Sequence, residues 1–284
     1  MPLRTLIAAE ALAERLGDPK IRVFDCRFDL ARPDVGRERY LEAHLPGATY
    51  AGLDRDLSAP PTATSGRHPL PDPGAFGRRL REWGVDDDSS IVAYDDGNGM
   101  YAARLWWMLR WLGHDDVAVL DGGFERWRSL GLPVTQEVPA RRPGSFAARP
   151  RAESAVDAGQ ILAIGRDPAR RLLDARAPER YRGDVEPIDA VAGHVPGARN
   201  HPFMASLDPS GRFQSSDDLR LALLASLDGV PAGRTVAMCG SGVTACHLLL
   251  ALEHAGLPGA RLYPGSWSEW SRDPARPVAT GPEP

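Results

Sequence analysis

The chain has 284 residues, 43% hydrophobic and 25% charged, with a formal net charge of −4. That length suits two domains of ordinary size, and the balance is that of a globular protein in water. Arginines are scattered among acidic residues with no basic block, which argues against a nucleic-acid partner; no apolar run is long enough to span a membrane, so no membrane partner is expected.

The first stretch, "MPLRTLIAAEALAERL", mixes acidic with apolar residues and reads as neither a signal peptide nor an anchor. Strand-like apolar runs follow at Arg22–Asp25, Ser90–Tyr94 and Val117–Leu120, with a helical pattern over Ala102–Leu112. Residues 137–151, "EVPARRPGSFAARPR", carry proline and arginine without periodicity. A disordered linker and a semi-rigid strap over the domain surface both suit such a composition. Strands then recur at Arg171–Asp174, Thr235–Met238 and Ala260–Tyr263, with a helical pattern over Thr244–Ala255.

The sequence itself recurs too. "RVFDCR" answers "RLLDAR", "EAHLPGATY" answers "AGHVPGARN", and the blocks starting at Ser90 and Val117 answer those starting at Thr235 and Ala260. The order is kept at an offset of roughly 150 residues, too long for a solenoid and suited to a duplicated domain. The alternation of strand and helix predicts an α/β protein of two tandem domains, residues 1–136 and 152–284, joined by 137–151. Each is expected to be a parallel sheet with helices on both faces.

Three cysteines, Cys26, Cys239 and Cys246, are too few and odd in number for a disulfide framework, which suggests a reducing compartment and hence the cytoplasm. Cys239 and Cys246 are separated by a loop and a helical turn, too far for a simple disulfide. No CxxC pair and no zinc-spaced His/Cys cluster occurs, so neither a metal nor another cofactor is expected. Cys26 and Cys246 read as packed.

Cys239 reads differently. It follows the apolar run Thr235–Met238 and opens "CGSGVT", ahead of the helical pattern. That is the C-terminal edge of a parallel strand, where open α/β sheets bind ligands. Gly240 and Gly242 free the loop to turn its N–H groups inward, and a helix N-terminus behind it makes an anion cradle that favours a thiolate. A packing cysteine needs no such loop.

"CGSGVTAC", with "GSWSEW" after it and "GHVPGA" before it, resembles the two-domain rhodanese family of sulfurtransferases over nearly the whole chain. Within that family the loop Cys-Gly-Ser-Gly-Val-Thr is similar to that of 3-mercaptopyruvate enzymes. Thiosulfate-preferring members usually carry an Arg-Lys pair where Gly240 and Ser241 stand. The resemblance implies that Cys239 carries the transferred sulfur as a persulfide, with Gly240, Gly242, Val243 and Thr244 lining the loop around it. It implies that Arg180, in "ERYRG", binds the anionic end of the donor, since a guanidinium holds an oxygen pair in a fixed fork. It pairs Asp54 in "AGLD" and His68 in "RHPLP" with Ser241, as a relay for protons. The implied partners are a small-molecule sulfur donor and a thiophilic acceptor: cyanide, a small thiol or reduced thioredoxin.

The first domain is expected to be catalytically degenerate. Pairing Val92 with Val236 sets Asp95 opposite Cys239, and a carboxylate cannot accept sulfane sulfur. His44 and His194 occur once in each domain, and Trp267 and Trp270 are bulky apolar residues; these read as structural. One departure bears on the donor. Mercaptopyruvate enzymes usually present a second arginine after the first, where this chain has Ile188, and the lost charge-assisted contact is worth about 1.5–3 kcal/mol. Thiosulfate therefore stays open as the donor. A cysteine phosphatase would need an arginine six residues after the thiol, where Ala245 stands. A non-enzymatic sulfur-carrier module is the other alternative, set against the joint presence of Cys239, Ser241 and Arg180.

Overall fold

A computed structural model describes residues 3–284. The chain forms two compact units. The first takes in the chain up to Ala59, Leu70–Arg151 and Pro209–Phe213; the second takes in Pro60–Pro69, Ala152–Asp208 and Gln214–Pro284.

The first unit is built on strands β1 (Leu6–Ile7), β2 (Ile21–Asp25), β3 (Thr49–Tyr50), β4 (Ser90–Tyr94) and β5 (Val117–Leu120), in the spatial order β1-β5-β4-β2-β3. The second uses β6 (Arg171–Asp174), β7 (Ala198–Asn200), β8 (Thr235–Met238) and β9 (Arg261–Leu262), in the order β7-β6-β8-β9. Every strand pair is parallel, and the registers correspond: Val23 faces Val92 as Leu172 faces Val236. Where β1 flanks the first sheet, a single parallel bridge from Ala155 to Leu262 marks the same edge of the second.

Each residue of β4, β5 and β8 is buried, as in strands covered on both faces. The helix Thr244–His254 is buried continuously from Ala245 to Leu252, so its apolar residues run all round it instead of along one stripe. Boundaries lie within a residue or so of those expected: the first-half helix spans Ala102–Trp111 and the last strand Arg261–Leu262.

The Pro- and Arg-rich stretch is an ordered strap on the first unit. Gly144 donates its N–H to Arg81 O, Phe146 to Val85 O, Arg149 to Leu112 O and Arg151 to Trp111 O, and Phe146 is buried. The repeated histidines hold turns. His44 Nδ1 lies 2.7 Å from Tyr40 O and its ring stacks on Tyr40; His194 Nδ1 lies 2.8 Å from Tyr181 O and stacks on Tyr181.

Just past β2 and β6 the two units repeat one buried device. Arg27 grips Asp25 with Nε and Nη2, and Arg176 grips Asp174 in the same way. Burial opposes the Arg176 charge, but Asp174 outweighs it and holds the guanidinium ionised. Each second Nη2 bond goes to a turn carbonyl, Ala43 O in one unit and Gly193 O in the other. The turn before each HxPGA element is thereby tied to the strand edge that faces the loops.

Candidate active site

Cys239 leaves the C-terminal end of β8 into the loop before the helix Thr244–His254 and is 2% exposed. The N–H of Gly242 points at its sulfur, 3.2 Å from Sγ. Only glycine suits position 242: its φ is +77°, and a Cβ there would lie 2.4 Å from Pro264 O. No side chain caps the helix start, so its first-turn N–H groups are left to the loop. Cys246 S–H donates to Gly242 O from inside that helix, which gives this buried thiol a packing and loop-bracing place.

A second turn clasps the loop from the β9 side. Trp267 N–H bonds Cys239 O and Ser268 N–H bonds Gly240 O, both at 2.9 Å. Ser266 accepts the Cys239 N–H on its Oγ (3.1 Å) and donates to Tyr263 O (2.9 Å). Its φ is +53°, a costly backbone for a residue other than glycine. The first unit has Gly123 in the matching place with φ +54°, so the second unit keeps a strained serine where its duplicate has the relaxed residue. Sequence reasoning passed over Ser266; the one available signal was "GSW" against "GGF" in the repeat.

Ser241 is 7% exposed, and its Oγ lies 2.8 Å from His68 Nδ1. His68 comes from the first half of the chain but belongs to the second unit, because Pro60–Pro69 is hydrogen-bonded there. Arg67 N–H bonds Ser268 Oγ and Arg272 reaches Thr62 O. The structure thus unites Cys239, Ser241 and His68. Asp54 lies in the other unit, where burial of its neighbourhood raises its carboxyl above the ordinary carboxylate range.

Two guanidinium groups face the loop at Gly240. A Cβ on that residue would lie 3.4 Å from Arg67 Nη2 and 3.5 Å from Arg180 Nη1. Asp189 joins them, 2.8 Å from Arg67 Nη1 and 3.3 Å from Arg180 Nη2. Glu186 takes the Nε and Nη2 edge of Arg180 and also reaches Arg176 Nη1 at 3.4 Å. Ile188, where a second arginine was expected, has an exposed side chain and bonds Glu186 through its N–H alone. The second cation comes from elsewhere: Arg67 was missed because it is 113 positions before Arg180 and no local pattern links them.

Glu186 is buried, which opposes its charge, but bonds from Arg180 and from the N–H groups of Asp189 and Ile188 hold its carboxyl below the ordinary range. A depressed carboxyl stabilises the folded state above its unfolded pKa, and that stabilisation is lost as the pH falls through the folded value. Urea unfolding between pH ~7 and ~4 should therefore show an acid-side loss of stability that Glu186→Gln reduces; an unchanged pH slope in the variant would remove Glu186 as its source.

The first unit shows what such a loop does when it carries no thiol. Asp95 follows β4 as Cys239 follows β8, and its carboxylate accepts N–H bonds from Gly97, Gly99, Tyr101 and Ala102. The loop N–H groups are thus taken up by a carboxyl group of the chain itself, and they oppose the burial that raises this carboxyl above its ordinary range. Cys26 is fully buried, and burial together with Asp25 raises its thiol well above the ordinary value, so it is held as a neutral packed group. Trp267 and Trp270 are core, their indole N–H groups bonded to Val191 O and Pro277 O. Among the described residues, no three His, Cys, Asp or Glu side chains gather as a metal site, and no helix is long and apolar enough to cross a membrane.

The rhodanese-like domain profile matches residues 8–130 and again 157–273. The chain belongs to the rhodanese family. Rhodanese relatives match it over nearly its full length. A probable 3-mercaptopyruvate sulfurtransferase of Pseudomonas aeruginosa is 51% identical over 97% of this chain and 98% of its own. The thiosulfate sulfurtransferase of Rattus norvegicus is 35% identical over 95% of this chain and 92% of its own. Among solved structures, the 3-mercaptopyruvate sulfotransferase of Escherichia coli superposes with a TM-score of 0.81 at 33% identity, covering 94% of this chain and all of that one. The two tandem rhodanese domains of α/β architecture follow from these matches and from the two parallel sheets.

Proposed function

We propose that this rhodanese transfers sulfur from 3-mercaptopyruvate to a thiophilic acceptor through a persulfide on Cys239. The observation that carries this reading is the Ser241–His68 pair, at 2.8 Å, beside a thiol that receives the Gly242 N–H. The Cys239 thiolate attacks the donor sulfur. Its electron pair forms the S–S bond, and the pair of the breaking C–S bond stays on carbon as the enolate of pyruvate. That carbon must gain a proton, which Ser241 with His68 supplies. Asp54 enters this relay through the family resemblance alone.

Gly242 and the following loop N–H groups, with Val243 and Thr244 at the helix start, stabilise the persulfide anion. Arg180 and Arg67 face the open side of Gly240 and hold the donor carboxylate. The same pair disfavours the Arg-Lys loop of thiosulfate-type enzymes, because a cation at position 240 would meet both guanidinium groups within about 4 Å. The P. aeruginosa relative's name supports the same donor.

Thiosulfate is the second reading, favoured by Ile188 and by the named thiosulfate enzymes among the relatives. There the same attack would expel sulfite. Cyanide, a small thiol or reduced thioredoxin then removes the sulfur and restores the thiolate. The three free cysteines suit a reducing compartment such as the cytoplasm.

The deciding experiment compares kcat/KM for 3-mercaptopyruvate and thiosulfate with cyanide as acceptor. A clear preference for mercaptopyruvate is expected; a preference for thiosulfate would overturn the donor assignment. Incubation with donor alone should add the mass of one sulfur atom, and labelling without turnover would move the protein to a carrier role.

A further inference from the structure

The first unit contains a cavity of about 580 Å³ lined by Arg27, Arg39, Asp96, Phe124 and Arg128, with Glu42 and Glu125 at its solvent rim. Its walls are the counterparts of the residues that surround Glu186 in the second unit. "ERY" occurs at 38–40 and at 179–181, so Arg39 corresponds to Arg180. The correspondence is structural as well. Tyr40 and Tyr181 both donate to the alanine carbonyl of the HxPGA turn, Ala48 O and Ala198 O, and both stack on the histidine of that turn. Arg27 matches Arg176, and each guanidinium lies over the ring of the matching aromatic, Phe124 at 4.1 Å and Trp267 at 4.8 Å.

The cavity lies where the second unit carries a longer segment. The tyrosine and histidine are thirteen positions apart in the second unit and four apart in the first. The extra residues carry Glu186, whose carboxylate bridges Arg176 Nη1 and the Nε–Nη2 edge of Arg180. In the first unit Asp96 replaces it only in part: its carboxylate bonds Arg39 at 2.9 Å and its charge acts on Arg27, with no hydrogen bond to Arg27. Arg39 uses only Nη1, toward Asp96 at 2.9 Å, which leaves its Nε–Nη2 edge unbonded. Arg27 spends Nε and Nη2 on Asp25 and Ala43 O, leaving Nη1 unbonded in a side chain only 2% exposed. Arg128 also lines the cavity and has no ion pair among the described residues.

We propose that this cavity is a binding site for a small free carboxylate, held between Arg27 Nη1 and the Nε–Nη2 edge of Arg39 as Glu186 is held in the second unit. Charge allows it. Asp25 and Asp96 balance Arg27 and Arg39, while Arg128, Glu42 and Glu125 are all solvent-exposed, where water screens them, so the attraction comes from the guanidinium fork and not from a surplus of positive charge. Phe124 provides an apolar floor for a short carbon chain. The site binds without reacting, since Asp95 already occupies the neighbouring cradle.

The test titrates the full chain with propionate, the free analogue of a glutamate side chain, by ligand-observed saturation-transfer NMR and calorimetry. It is run in an Arg180→Ala background so that the donor-binding arginine is removed. Propionate should still bind. Adding Arg39→Ala should weaken it by about tenfold or more, the loss of a charge-assisted fork. Arg128→Ala, at an exposed position that leaves the core untouched, should weaken it less while keeping the melting temperature. Loss of binding on Arg180→Ala alone, absence of binding altogether, or indifference to both Arg39→Ala and Arg128→Ala would overturn the proposal.

Discussion

Replacing Cys239 with alanine should lower turnover by at least about a thousandfold with either donor, because no other nucleophile can form the covalent intermediate. The expected loss is chemical, not structural. Sγ occupies a small buried volume at a strand end, and the loop keeps the clasps from Trp267, Ser268 and Ser266, which act on backbone groups of Cys239 and Gly240. Melting temperature and circular dichroism should therefore stay near those of the parent. The variant should also gain no sulfur mass on exposure to donor. Substantial residual turnover in a correctly folded Cys239→Ala protein would remove the persulfide mechanism. Cys246 could not easily take over, since it is buried in the helix with its S–H committed to Gly242 O.

His68→Ala should separate the two donors. With 3-mercaptopyruvate the departing enolate needs a proton, and loss of a positioned acid should cost kcat about a hundredfold or more. Sulfite leaves thiosulfate as a stable anion, so kcat with that donor should fall far less. Ser241→Ala should reproduce the split, with an added stability loss of about 0.5–1.5 kcal/mol for the lost hydrogen bond to His68 Nδ1. Steady-state kinetics with both donors, alongside urea unfolding, reads each part. Equal losses with the two donors would mean that the pair only shapes the loop, and the proton would have to come from water.

These expectations rest on features of different legibility. The duplication, the parallel α/β class, the strand ending at Met238 and the glycine loop after it could all be read along the chain. They are local: hydrophobic periodicity sets strand and helix, and a thiol between an apolar run and Gly-Ser-Gly has few structural uses. That the first loop carries no thiol was legible for the same reason, since Asp95 stands where the repeat puts Cys239. The structure adds that its carboxylate is bonded by four N–H groups. The structural reading of His44, His194, Trp267 and Trp270 rested on recurrence and size, and their hydrogen bonds agree with it.

The electrostatics of the site were not legible. Ile188 suggested a missing cation, yet Arg67 stands at Gly240 beside Arg180, fixed by Asp189. Ser266 gave almost no signal, because a positive φ at a serine is a property of the folded turn. Membership of Pro60–Pro69 in the second unit likewise depends on bonds to Ser268 and Arg272, some two hundred positions away.

By itself, then, the sequence determined the two domains, their sheet type, and which of the two corresponding loops carries a thiol and which a carboxylate. Only the tertiary structure decided which charges converge on the thiol loop, how Glu186 braces Arg180, and where a cavity lies in the first unit. The physical reason is range. Backbone periodicity and turn chemistry act between residues a few positions apart, so the chain displays them directly. Ion pairs and hydrogen bonds need only a few ångströms in space, and residues as distant as His68 and Ser241 can supply them once the sheets have formed.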